Sequence, residues 1–258
     1  MPATGLAGVA VRGESRGSGL SRAVLSALFT AARARGAVIG TLFRTHPAPY
    51  CSLGFEEVGG LTWTVVPTLA LAGLARPRDM LLRPAEPADL RGLLEAYRSV
   101  ARTTNGYLER SGPLFNRSDE TILTRHDGVT VVEGPDGRIE GYATWDRGDG
   151  ESGVLSVPEL IGLSESATVA LLAMLGTWAA VAPTLRLRLP DPDPAPLLSS
   201  LLHASPEPSK RWMLRVLDAS GAVAARGWPT QLSGGVDVLL DDPSPACGHT
   251  RDEESRGG

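Results

Sequence analysis

Two apolar runs, residues 8–11 and residues 37–43, bracket a turn rich in glycine and arginine and an amphipathic stretch from Leu20 to Arg35. That order reads as strand, turn, helix and strand, a β-α-β unit whose glycine turn stands at the head of the helix. Within the helix Val24, Leu28 and Ala31 recur at helical spacing beside Leu25, Phe29 and Ala32. Gly36 follows two arginines and stops it.

The rest of the chain repeats an α/β pattern. Residues 60–74 read as a strand leaving this unit, and Arg76-Pro77-Arg78-Asp79 as a linker. Leu90, Leu93, Leu94, Tyr97, Val100 and Ala101 then mark a core-facing helix with Pro87 near its first turn. Residues 129–133 and 138–145 flank Gly134-Pro135-Asp136-Gly137 as a hairpin, and residues 153–157 give another strand. Residues 166–185 carry no charge and are about as long as a bilayer is thick. They do not read as a span, because Gly176, Trp178 and Pro183 interrupt them and they run into the alternating Leu185-Arg186-Leu187-Arg188-Leu189. After a proline-rich break at residues 190–196, Trp212 opens a further piece, with a short helix over 219–226, a strand over 236–240 and a polar tail expected to be disordered.

Charge and cysteine usage exclude several roles. With 25 Lys and Arg against 29 Asp and Glu, the net charge is −4, which leaves no basic footprint for nucleic acid. Cys51 and Cys247 are too far apart for a local disulfide or paired-cysteine metal site, and the four histidines lack ligand spacing, so no metal is expected. The start has no basic region followed by an apolar one, so a cytoplasmic protein is the expectation. No Gly-x-Ser-x-Gly elbow accompanies a histidine, which argues against a serine hydrolase.

The stretch Val9 to Arg22 carries the chemistry. Gly17 and Gly19 let backbone approach an anion at the start of a helix, where amides and a partly positive helix end act as donors. Arg16 and Arg22 add charge suited to a pyrophosphate. No Gly-Lys-Ser/Thr follows, and the third glycine of a dinucleotide fingerprint is missing. On its own the turn also fits an ordinary glycine-containing loop.

In its setting, the order strand, Arg-x-x-Gly-x-small, helix, strand resembles motif A of the GNAT N-acetyltransferases. Pro49-Tyr50-Cys51-Ser52-Leu53-Gly54-Phe55 is similar to the tyrosine segment of that family. Gly59 to Val65, Leu82 to Ala85, Val100 to Arg110, Trp212 to Asp218 and Ala224 to Pro229 narrow the resemblance to the Eis subfamily. The resemblance implies an α+β fold: GNAT-like mixed sheets with flanking helices, followed by the start of a sterol carrier-like domain. An incomplete first GNAT domain with the acetyl-CoA cradle would occupy residues 1–75 and a second GNAT-like domain residues 80–196. The carrier-like domain and polar tail would occupy residues 208–258.

It also implies transfer of acetyl from acetyl-CoA to a primary amine, an aminoglycoside-like small molecule or a protein lysine, by a homo-oligomer with no membrane span. Carried over residue by residue, Val9, Ala10 and Val11 offer strand backbone to the pantetheine arm. Arg16, Gly17, Ser18, Gly19, Leu20, Ser21 and Arg22 hold the pyrophosphate, Thr45 and His46 add cofactor contacts, and Tyr50 is the general acid for the departing thiolate. Ser21 departs from the usual Gly or Ala. The family's terminal carboxylate base has no counterpart that can be assigned. A strand at Val9 to Val11 would expose an unpaired edge, because the chain begins almost at motif A. The second set has Gly162-Leu163-Ser164-Glu165-Ser166 where a cradle would be, so it reads as structural. A catalytically inactive remnant serving as a binding or assembly subunit is the alternative reading.

Overall fold

A helix with two interleaved apolar stripes can bury only one fully, and in the computed structural model the stripe Leu25, Phe29 and Ala32 is buried while Val24 stays 60% exposed. The structure describes residues 1–104, 106–110, 121–148, 153–188, 205–229 and 231. Its strands are β1 Ala3–Leu6, β2 Ile39–Phe43, β3 Glu56–Pro67, β4 Leu81–Pro84, β5 Gly128–Glu133, β6 Ile139–Arg147, β7 Val154–Gly162, β8 Thr184–Arg188 and β9 Ser205–Val216. Its α-helices are α1 Leu20–Ala34, α2 Ala48–Cys51, α3 Leu90–Thr103, α4 Thr121–Thr124, α5 Glu165–Gly176 and α6 Ala219–Ala225. They fall into two compact units: residues 1–60 with the described residues from 210 onward, and residues 61–209.

In the first unit β1 runs parallel to β2, Ala3 opposite Ile39 and Leu6 opposite Leu42. The expected strand at Val9 to Val11 is therefore corrected. Ala3–Leu6 takes the pairing with β2, Gly8 at φ +68° turns the chain out, and residues 9–11 form a loop before a single turn at Gly13–Ser15. The other edge of β2 pairs antiparallel with β9, Phe43 opposite Trp212 and Ile39 opposite Val216. The run at Trp212, expected to open a carrier-like domain over residues 208–258, thus pairs within the first unit, and a carrier-like domain is not supported. An apolar strand with an open edge needs partners for its amides, and the run from Trp212 to Val216 supplies them within this unit. Phe29 and Phe55, ring centroids 5.5 Å apart, centre a core that Leu25, Leu42, Met213 and Leu217 complete.

The second unit holds the strand order β3-β8-β7-β6-β5-β4, antiparallel except for the parallel pair β7 and β8 that α5 connects. Alternation along the strands divides the two faces. Val132, Ala143, Leu155 and Leu185 pack with α5, whereas Val131, Tyr142 and Ile161 pack with Leu93, Ala96 and Tyr97 of α3. Helix α5 buries residues all round, which explains why it carries no charge after Glu165 in its first turn. Among the described residues no helix is long and apolar enough to cross a membrane. The strand expected over residues 236–240 and the polar tail lie outside the described residues.

Candidate functional site

The head of α1 is built from backbone. Gly17 and Gly19 sit at φ +82° and +79°, the left-handed region that disfavours any side chain, and a Cβ at either would meet nothing within 4 Å. The glycines are needed for the path of the chain, not for room. Gly19 is the N-cap and places no side chain on the helix amides; the first i→i−4 bond runs from the Ala23 amide to the Gly19 carbonyl. The amides of Leu20, Ser21 and Arg22 thus precede the helix ladder, at its partly positive end. Ser18 turns its hydroxyl back to the Ser15 carbonyl at 2.6 Å, which braces the turn. Arg16 is exposed and donates from Nε to the Val11 carbonyl at 3.4 Å, so loop residues 9–11 and the turn are joined.

Tyr50 lies on α2, half-buried against the same core that α1 covers. The amides of Leu53 and Phe55 both donate to its carbonyl, at 2.9 and 3.1 Å, and Gly54 at φ +77° closes this turn. Its ring meets Phe55 edge-on with centroids 6.1 Å apart. Backbone and ring are fixed, while among the described residues nothing hydrogen-bonds its hydroxyl. Arg22 joins this segment to the cradle by donating from Nη2 to the Ser52 carbonyl at 3.2 Å. Ser52 was not legible as a site residue, since it contributes only a carbonyl. Thr45 and His46 are exposed after β2, and no hydrogen bond links them to the turn among the described residues.

The corresponding position of the second unit is closed. Ser164 caps α5 by accepting from the Ala167 amide at 3.2 Å, its own hydroxyl donates to Glu140 at 2.7 Å, and Glu165 stands in the first turn. A Cβ on Gly162 would come within 2.1 Å of the Thr168 hydroxyl. Carboxylates and a side-chain cap occupy the end that an anion would need.

Residues 106–216 match the family model described as an acetyltransferase (GNAT) domain. Its fold is similar to a GCN5-related N-acetyltransferase from Kribbella flavida, 28% identical with TM-score 0.77, over 95% of this chain and 60% of that one. A GCN5-related N-acetyltransferase from Anabaena variabilis follows at 21% identity and TM-score 0.76, over 90% of this chain and 59% of that one. Eis1 from Mycobacterium abscessus is 22% identical with TM-score 0.65, over 87% and 59% of the two chains. The chain spans about three fifths of the length of these proteins. No curated protein matches it. GNAT enzymes use acetyl-CoA as co-substrate. The GNAT match runs from residue 106 to the end of β9 and so covers the later part of the second unit, whereas the open glycine turn lies outside it in the first unit. Among the described residues no group of three or more His, Cys, Asp or Glu side chains is placed to hold a metal.

Proposed function

We propose that this protein is an acetyl-CoA-dependent N-acetyltransferase of the Eis type that acetylates primary amines of small molecules or protein lysines. The observation that carries the reading is the contrast between the two helix heads. The turn before α1 offers unclaimed amides behind two left-handed glycines, with Arg16 and Arg22 beside it, while α5 is sealed by Ser164 and Glu165.

In this reading residues 16–22 hold the pyrophosphate, and the backbone of Val9, Ala10 and Val11 lies along the pantetheine arm as a loop. Thr45 and His46 add contacts further along. Bound acetyl-CoA supplies the thioester whose acetyl group passes to the amine, with C–N bond formation and C–S cleavage. Tyr50 holds a proton on its hydroxyl for the sulfur that leaves, and the Phe55 edge contact keeps the ring in place. The protein works in the cytoplasm as a homo-oligomer.

Calorimetric titration with acetyl-CoA tests the reading. Wild type should bind, and Arg16→Ala should bind about tenfold more weakly, as loss of a charge-assisted contact implies. Thiol release with an amine acceptor should then follow. A folded wild type that binds no acetyl-CoA would reject it.

A further inference from the structure

At the end of α5 away from its Ser164 cap, the second unit holds a cavity of about 490 Å³ that the acetyl-transfer reading leaves unused. Four stretches line it: the segment between β3 and β4 through Leu74 and Arg76, the edge strand β4 through Leu82 and Arg83, β5 through Thr130, and the last turn of α5 through Met174. Its size is that of sites that hold small molecules. Leu74, Leu82 and Met174 are half-buried and pack against the core of the unit, so they give the cavity an apolar wall. Met174, unbranched and flexible, can follow the shape of a chain laid against it.

The polar groups differ in what they have left to offer. Arg83 spends its donors on Asp89, Glu133 and the Pro84 carbonyl. The Thr130 hydroxyl accepts from the Trp145 indole at 3.1 Å. Arg76 donates from Nη2 to the Met80 carbonyl at 3.2 Å, and among the described residues no carboxylate pairs with it. A guanidinium has five N–H donors, so Arg76 keeps most of its capacity and its whole charge.

No described residue that lines the cavity is acidic. The partly negative end of α5 is moderated, because the helix runs directly into the 3₁₀ turn Thr177–Ala180 and Thr177 bonds back to the Met174 carbonyl through its amide and, at 2.7 Å, its hydroxyl. Arg76 is exposed whereas the apolar wall is half-buried, which puts the charge on the solvent side and the apolar surface behind it. A ligand that matches this order has an apolar chain and an anionic head. A carboxylate suits the planar fork of a guanidinium.

We propose that this cavity binds an aliphatic carboxylate, its chain along Leu74, Leu82 and Met174 and its headgroup on Arg76. All these residues lie in the second unit, and the proposal does not depend on acetyl-CoA binding at α1.

The test labels the methionine methyl groups of the full chain with carbon-13 and follows them by NMR during titration with sodium octanoate and, separately, with 1-octanol, which has the same chain and an uncharged head. The chain has four methionines, so each resonance can be assigned by replacement. Met174 should shift saturably with octanoate while Met213, in the first unit, stays still. Arg76→Gln, at an exposed position that should leave the fold intact, should weaken octanoate binding about tenfold and leave octanol unchanged. A Met174 resonance unmoved by octanoate, one that moves in step with Met213, or octanoate saturation unchanged in Arg76→Gln overturns the proposal. If Arg76→Gln fails to fold, the wild type decides: tighter saturation by octanoate than by octanol supports the carboxylate, and equal saturation rejects it.

Discussion

Arg22, in the first turn of α1, donates from Nη2 to the carbonyl of Ser52 at 3.2 Å, two residues beyond Tyr50. One guanidinium thus joins the proposed pyrophosphate cradle to the segment that bears the proposed acid. Replacing Arg22 by Ala removes both this tie and a cation beside the turn, and the side chain is exposed, so the fold should survive. Acetyl-CoA affinity should fall by about tenfold, with a smaller difference at high salt. Calorimetry at two ionic strengths checks this; equal affinities would mean that Arg22 is a surface residue only.

Gly19→Ala isolates the backbone contribution. The new methyl group meets nothing, so any cost comes from holding alanine at φ +79°, about 1–2 kcal/mol. Urea unfolding should show that loss, and acetyl-CoA binding should weaken as the turn relaxes. Unchanged binding with lowered stability would detach the turn from the ligand.

Ser164→Ala supplies the opposite control. Loss of the α5 cap should destabilise the chain by about 1 kcal/mol. Acetyl-CoA affinity should not change, because the cradle is assigned to α1. Lower affinity in a folded Ser164→Ala protein would place the cofactor in the wrong unit.

How much of this was readable from residues alone follows from range. α1, α3 and the β5–β6 hairpin announce themselves through local spacing, capping and the Gly134 to Gly137 turn. β1 does not, because Ala3-Thr4-Gly5-Leu6 has weaker strand propensity than Val9-Ala10-Val11 and becomes a strand only by pairing with β2. β9 shows the same limit across a longer distance: the apolar run at Trp212 is visible, but its partner Phe43 is far away in sequence. The glycine turn and Tyr50 were visible as a motif, whereas Ser52 and the cavity beside Arg76 emerge only from packing.

Tyr50→Phe tests the proton. Phenylalanine keeps the edge contact with Phe55, so α2 and the core should be undisturbed. Loss of the hydroxyl should lower kcat about 10²- to 10⁴-fold with little change in the KM for acetyl-CoA. A steady-state comparison in which kcat is retained would remove Tyr50 from the chemistry.

Acid stability should depend on the entry to α3. Arg83 donates to Asp89 through Nη1 at 2.6 Å and Nη2 at 2.8 Å, and also contacts Glu133. The hydrogen bonds from Arg83, the largest influence, and from the Glu86 amide hold Asp89 below its ordinary pKa, against the burial that would raise it. A carboxyl depressed in the folded state contributes stability that is present above its unfolded pKa of about 4 and is lost as pH falls through the folded value. Urea midpoints measured from about pH 6 down to pH 2 should therefore decline through the acid limb. Asp89→Asn should start from a lower midpoint and decline less steeply, because Arg83 retains Glu133 but the titrating group is gone. Parallel curves for the two proteins would show that Asp89 ionisation is not linked to folding.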